Sequence, residues 1–536
     1  MEQSPPDTTE VLIVGAGPTG LMMACQLAVQ KVSFRIIDKN TTSLQNSGAL
    51  IVQARTLEIF EQLGIAGEAI SQGIIADRID ILYNEKKIAG SSIKNIGRNL
   101  SQFPFLLMLE QAKTEKLLLK FLEERGYYVE RNIQFRRYTE DQNRISTGVI
   151  MPDGSPRIIV SKYLIGADGS RSNVRDFLKI PFKGKTFSRP IYILDCGEIP
   201  EISSGVISFA FSRESVAGFF PLRNQKWRVD GSLPGRVKKS ETITLETVTK
   251  GLQHWNTMNF KLHDTEWFSV SHSQQKYAGT IRIGNCFLAG DAAHVNTPVG
   301  AQGMNAGIQD AHNLAWKLAF VLKQKAKPEL LDSYTTERLG ITKGFALYAD
   351  VVFRVVTNTN IAISLFRTFA LKIYFKRIFP KLDKKEKLRL KFFKYISQID
   401  IHYKPALGSY KDLERLFLRG TPKPGHRLPY VDFIFENKTT NSHQILNACG
   451  FTLLVFAEEI TPEIKSISEK YKLASVLVKH LPETDSIYTS LGITNTGYYL
   501  IRPDMYIGLR SATLETGNLN LYLQFSRNKH QTAALC

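Results

Sequence analysis

Apolar and polar positions follow two periods along this chain. Val11 to Val14 is a short, wholly apolar run, the pattern of a buried parallel strand. It ends at Gly15, Gly17 and Gly20. An amphipathic helical pattern follows, and then a second apolar segment, Ser33 to Ile37, closed by Asp38. The spacing predicts strand, turn, helix, strand, which is a βαβ unit. A strand-to-turn switch recurs at Tyr163 to Ile165, which runs into Gly166-Ala167-Asp168-Gly169, and again around Leu288, which runs into Gly290-Asp291 and the helical pattern "MNAGIQDAHNLAWKLAFVL". From about Pro181 to Thr280, alternating segments such as "PIYILDCGEI", "GVISFAFS" and "VAGFFPL" read as strands, as does the region around Ile79 to Gly90. Residues 344–403 read as helices. A new unit opens at "TPKPGHRLPYVDF" and carries strand and helix patterns through "GYYLIRPDMYIGLR". The class is α/β.

The 536 residues suffice for two to four domains and a large core. With 43% hydrophobic and 22% charged residues the chain is globular. The longest apolar stretch, Ile341 to Leu371, is broken by Lys343, Asp350, Arg354 and Arg367, so no membrane span is expected. The polar "MEQSPPDTTE" start is unlike a secretory signal. Cys25, Cys196, Cys286, Cys449 and Cys536 are scattered, which argues for a reducing, cytoplasmic setting and against disulfides or a metal site. The net charge is +19, and the stretch 371–395 supplies +8 of it from ten Lys/Arg against Asp383 and Glu386. A solvated helical face is the first reading of that stretch. A peripheral contact with anionic membrane is the sharper one, because Phe375, Phe379, Phe392 and Phe393 interleave the charges. Nucleic acid comes last, since no matching motif accompanies the charge.

The first motif carries definite chemistry. Gly15 permits a tight turn, Gly17 lets a pyrophosphate approach the backbone, and Gly20 lets helix and strand pack closely. Asp38 stands where an acid accepts ribose hydroxyls, which argues against a 2′-phosphate at this site. A dinucleotide is expected; the motif alone does not separate FAD from NAD(P). The small-residue loop after Asp291 leads into a helix N-terminus, which attracts negative charge.

The three motifs, in this order across the first 310 residues, resemble those of the flavin-dependent aromatic monooxygenases of the para-hydroxybenzoate hydroxylase type. The resemblance implies a Rossmann-like FAD-binding domain, an antiparallel sheet roofing the substrate and, as in longer members, a C-terminal thioredoxin-like domain. For the last, Pro424, Gly425, Arg427, Pro429, Arg502, Pro503 and Asp504 match, but Cys449 stands without a C-x-x-C, so no thiol redox chemistry is expected. The implied domains are 1–180 with 281–345 for FAD (75–110 joining the substrate sheet), 181–280 for substrate, 346–405 as a basic helical segment, and 406–536 as the thioredoxin-like unit.

The same resemblance implies a cofactor site. Gly15, Gly17, Pro18, Thr19 and Gly20 would hold the ADP half of FAD, with Asp38 and Lys39 beside it. Asp168 would serve FAD and a transient NAD(P)H. Gly290 and Asp291 would meet the ribityl or ribose hydroxyls. Arg55 and Gln111 match family residues near the flavin. Pro298, Gly300, Gly303, Met304 and Asn305 would line the ring, with the last three amides facing its N1–C2=O edge. The chain departs from the family in having Gly48-Ala49 for Arg-Ala, Thr297-Pro298 for Pro-Pro and Gly300-Ala301 for Gly-Gly. Arg223, Trp227, Arg228 and Tyr277 are pocket candidates, though each taken alone reads first as an ordinary strand residue. No catalytic acid or base is singled out.

The activity implied is FAD-dependent hydroxylation of a phenolic or polycyclic aromatic by NAD(P)H and O2, through a flavin C4a-hydroperoxide. A flavin reductase acting on a membrane-borne isoprenoid or quinone is the alternative, and a non-catalytic flavin-binding protein is another. A homodimer completes the expected partners.

Overall fold

The structure is a computed structural model. It describes residues 7–43, 48–83, 86–141, 144–200, 202–211, 216–232, 243–255, 264–297, 302–341, 369, 373–377, 379–404, 417 and 420–525. Pro298, Gly300 and Ala301 lie outside these.

Five strands stand side by side in one sheet and run parallel: Cys286–Leu288, Pro156–Gly166, Thr8–Val14, Phe34–Asp38 and Glu130–Arg131. Val11, Leu12 and Ile13 are fully buried, as a strand covered on both faces requires. The helix Pro18–Val29 follows the first strand, with Pro18 in its first turn. It packs against the helix Gly303–Leu322, almost all of whose residues are buried. This is the Rossmann-like domain.

A second, eight-stranded sheet has the order His294–Val295, Trp267–Ala278, Phe182–Cys196, Trp227–Ser232, Val216–Pro221, Val206–Phe211, Arg78–Tyr83 and Lys86–Ser92. It is antiparallel except where Val206–Phe211 runs parallel to Arg78–Tyr83. A connection from a distant part of the chain brings that strand in alongside, and a hairpin could not. The segment 286–295 belongs to both sheets, so it joins them.

The C-terminal thioredoxin-like unit has the strand order Ala474–Val478, Thr452–Phe456, Gly497–Ile501 and Ile507–Ser511, with helices Pro462–Tyr471, Asp485–Leu491 and Gly517–Phe525. One face packs Phe451, Leu453 and Tyr498 against Trp316 and Phe320 of the long helix.

In the basic stretch the phenylalanines turn inward. Phe379 and Phe393 are buried, and Phe375 lies 5.6 Å from Phe211 of the substrate sheet. Asp383 accepts hydrogen bonds from Ser91 Oγ at 2.8 Å and the Ser92 amide at 3.0 Å. The interleaving of charge with phenylalanine therefore reflects docking onto the sheet edge.

Candidate functional site

The three glycine-containing turns meet at the carboxyl ends of adjacent parallel strands. The Gly15 amide bonds Ile37 O at 2.8 Å, the Ala167 amide bonds Val14 O at 2.8 Å, and the Ala289 amide bonds Gly166 O at 2.9 Å. That edge is where open α/β sheets bind ligands.

The glycines fall into two groups. Gly15 has φ +105°, and a Cβ there would stand 2.3 Å from Ala167 O. A Cβ on Gly20 would stand 1.9 Å from Gly15 O, and Cβ atoms on Gly290 and Gly307 would each collide with Thr19 Oγ1. These four are fixed by close packing. Gly17 and Gly303 are different: among the described residues nothing lies within 4 Å of a Cβ on either. Each stands at the start of a helix, and neither helix has a side-chain cap. Their N-terminal amides thus open on space, with the positive end of each helix dipole behind them.

Around the first turn, Asp38 is buried. Its Oδ2 accepts from the Ala16 amide at 2.7 Å and its Oδ1 from the Asn40 amide at 2.8 Å. Each carboxylate oxygen has a further lone pair for a hydroxyl donor. Lys39 is exposed beside it. Gln111 opens a helix and donates to Glu115 at 2.9 Å; burial holds the Glu115 carboxyl above its usual range.

At the central turn Asp168 is committed to its own loop. Oδ1 accepts from Ser172 Oγ, and Oδ2 from the Val174 amide at 3.1 Å, so the carboxylate builds the start of the helix Asn173–Phe177. Burial pushes it above the usual range, against the Ser172 bond. Arg175 then crosses to the third turn, donating to Ala292 O at 3.2 Å, with its guanidinium 3.8 Å from the Phe182 ring centroid.

The third turn holds Asp291 open to solvent, while the protein around it raises its carboxyl. An accessible yet desolvated carboxyl lies within a cleft, not on a convex surface. Beneath it is a group the sequence reading missed. Asp310 accepts from His294 Nε2 at 2.6 Å, from Arg338 Nε at 2.7 Å and from the Gly290 amide at 3.0 Å. Burial alone would raise Asp310, but His294 and Arg338 hold it down at about 2. A signal was present: Asp310 and Lys317 are the acid and the base of a helix that is otherwise uncharged and largely apolar, and buried charges must be paired.

One expectation changes. Arg55 was expected at the flavin. Its guanidinium instead donates to Asp504 O at 2.7 Å and Glu58 Oε2 at 3.1 Å, and lies over the Tyr506 ring, all on the side of the C-terminal unit. It sits in the first turn of a helix whose polar face meets that unit. The Asn305 side chain is also occupied: Oδ1 accepts from the Gln53 amide and Thr56 Oγ1, and Nδ2 donates to Ile51 O. Its backbone amide remains at the helix start, next to the half-buried Met304.

Of the pocket candidates, Arg223 is exposed, Trp227 lies in the apolar core behind the second sheet, and Tyr277 is half-buried. Arg228 makes two 2.7 Å bonds to Asp195 and reaches Ala49 O at 3.4 Å. Gln275 donates to Asn296 at 2.9 Å and accepts from the Thr297 amide at 3.2 Å, which anchors the start of the loop before Gly303 to the sheet.

The donor set fits FAD: two open helix N-termini, an acid beside the first, and a cleft carboxylate beside the second. Comparison with known proteins agrees. Residues 8–346 match the FAD binding domain family. The chain is 28% identical over 539 residues to the 6-methylpretetramide 4-monooxygenase of Streptomyces rimosus, covering 97% of this chain and 93% of that one. It is 32% identical over 337 residues to the pentachlorophenol 4-monooxygenase of Sphingobium chlorophenolicum, 62% of each. The solved anhydrotetracycline hydroxylase of Streptomyces rimosus superposes with a TM-score of 0.76 at 25% identity, covering 97% of this chain and 99% of that one.

Proposed function

Because the chain belongs to the FAD binding domain family, we propose that its three strand-end turns hold FAD for oxygen transfer to a polycyclic phenol. That it is an FAD-dependent monooxygenase of aromatic compounds, using NAD(P)H and O2, follows from its relatives. The polycyclic class is supported by the 6-methylpretetramide and anhydrotetracycline enzymes, which match nearly the whole chain. Their activities favour oxygen transfer over the reductase and non-catalytic readings.

Bound FAD supplies electron transfer and O2 activation. The chain does the rest. The amides at the start of Pro18–Val29 receive the pyrophosphate, and Asp38 takes ribose hydroxyls. Asp291, open in its cleft, meets the remaining hydroxyls. The amides of Gly303, Met304 and Asn305 stabilise negative charge on the ring edge. The second sheet would cover the ring and keep water from it.

The open Cβ directions at Gly17 and Gly303 carry this reading. The test is the visible spectrum of the purified protein, with NADPH added anaerobically and a panel of polycyclic phenols. A flavin spectrum that bleaches faster with a phenol, and O2 uptake matched by hydroxylated product, is the expected result. Protein that retains no flavin after added FAD sinks the reading.

The membrane contact rests on other residues than first expected. Phe369, Ile373, Tyr374 and Tyr395 are exposed beside the lysines of the basic stretch. No helix among the described residues is long and apolar enough to cross a membrane. Co-sedimentation with vesicles rich in anionic lipid, lost in high salt, tests whether this surface holds the enzyme at a membrane.

A further inference from the structure

The strand Trp227–Ser232 sends alternate side chains to its two faces. Trp227 and Val229 join Tyr192, Leu194 and Phe219 in the apolar core on one side. Arg228 and Asp230 lie on the other, beside their cross-strand partners Asp195 and Ile193 on one neighbour and Phe220 and Gly218 on the next. This second face looks toward the segment at Gly48 and Ala49. Arg228 reaches Ala49 O, and a Cβ on Gly48 would stand 3.2 Å from Ile193 Cδ1.

Arg228 is used up by Asp195, so Asp230 stands apart. Among the described residues no side chain hydrogen-bonds its carboxyl; only its own amide does. Gly218 opposite leaves room, since a Cβ there would stand 2.7 Å from Asp230 Oδ1 and 2.7 Å from the Phe220 ring. The carboxyl is half-buried between Ile193 and Phe220, in a setting that penalises an unpaired charge. Burial pushes it up to about 7, with Arg228 pulling the other way. The ionisable groups around it are Arg228, Asp195 behind Arg228, and the Tyr192 hydroxyl from the neighbouring strand.

We propose that Asp230 receives the phenolic hydroxyl of the aromatic substrate and accepts its proton. The inference rests on the monooxygenase reading above. Phe220 and Ile193 offer an aromatic ring an apolar wall, and the carboxylate offers its hydroxyl a charged acceptor. In the transfer the phenol O–H bond breaks, an O–H bond forms on the carboxylate, and the electron pair stays on the phenolate oxygen. One negative charge moves from carboxylate to substrate, and the ring carbons ortho and para to that oxygen become richer in electrons. No oxidant enters this step.

The test compares 1-naphthol with its methyl ether, binding to the holoenzyme followed by the change in flavin absorbance. Wild type should prefer the naphthol by about tenfold or more above neutral pH, the worth of a charge-assisted hydrogen bond. The preference should shrink as pH falls through about 7. Asp230→Ala should lose it, and Asp230→Asn should keep a small preference that no longer depends on pH. Both variants retaining the wild-type preference and pH profile overturn the proposal. A wild type that binds both ligands equally also overturns it, yet leaves oxygen transfer standing if phenols still speed O2-linked NADPH consumption. If phenols do neither, the monooxygenase reading falls with it.

Discussion

Arg502 closes a two-pronged ion pair on Glu337, Nη1 to Oε1 at 2.6 Å and Nη2 to Oε2 at 2.9 Å, across 165 residues of chain. Glu337 also accepts from Lys317 at 2.7 Å, while Arg502 also binds Asp504. The next residue, Arg338, faces the other way and holds Asp310, which holds the Gly290 amide. Two adjacent residues thus tie the C-terminal unit to the third cofactor turn.

Among the described residues, removing Arg502 would take the one cation from beside Asp504, leaving it the Asn313 amide at 3.3 Å, while Glu337 would keep Lys317 and Asn313. Arg502→Met should cost about 3–5 kcal/mol of stability, as other broken buried pairs do. It should also weaken FAD retention, because Glu337 and Arg338 share one turn of chain. Urea unfolding with and without FAD checks both. Adding Glu337→Gln should cost less in the Arg502→Met chain than it does alone, and strict additivity would show that the pair is uncoupled.

The two glycine groups make opposite predictions. Alanine at Gly307 would meet Thr19 Oγ1 and stand 3.2 Å from Gly290 Cα. Gly307→Ala should destabilise the flavin-free protein by about 1–3 kcal/mol, and Thr19→Ala in the same chain should relieve it. Gly303→Ala meets nothing within 4 Å among the described residues. It should leave the flavin-free protein as stable as wild type while raising the FAD dissociation constant. Thermal unfolding and a flavin titration separate the cases.

Asp310 gives a pH prediction with a defined sign. Its folded value is about 2, against an ordinary 3.8. The ionised group therefore contributes stability that is fully present above about pH 4 and is lost as pH falls through about 2. That contribution is about 2 kcal/mol. Asp310→Asn should unfold more easily at pH 7, and its stability should change less steeply than wild type between pH 4 and pH 2. Parallel acid profiles for the two proteins would rule this out.

The cradle was legible in the sequence because it is made of backbone. Gly15, Gly20 and Gly290 sit where any Cβ would collide, so their spacing records the turn directly. Asp38 ends its strand for the same local reason. Side-chain partnerships across the chain left no such record. Arg427 reaches Glu58 at 3.1 Å over 369 residues, and nothing near either residue announces it. The basic stretch is a related case. Its phenylalanines are spaced as they would be for a lipid surface, and only the neighbouring sheet shows that Phe379 and Phe393 point inward.

Arg55 offers the sharpest contrast between a family expectation and this chain's geometry. A residue touching the ring would alter the flavin's absorption and reduction when replaced. The guanidinium here is buried against Asp504, Glu58, Met505 and the Tyr506 ring. Glu58 keeps Arg427 and Ser101 as partners when Arg55 is gone, so the stranded charge is partly covered. Arg55→Met should therefore cost about 2–4 kcal/mol, near the lower end for a broken buried pair. The visible spectrum of bound flavin and its anaerobic reduction rate should stay unchanged. A shifted flavin spectrum at unchanged stability would return Arg55 to the ring and refute the placement at the C-terminal unit.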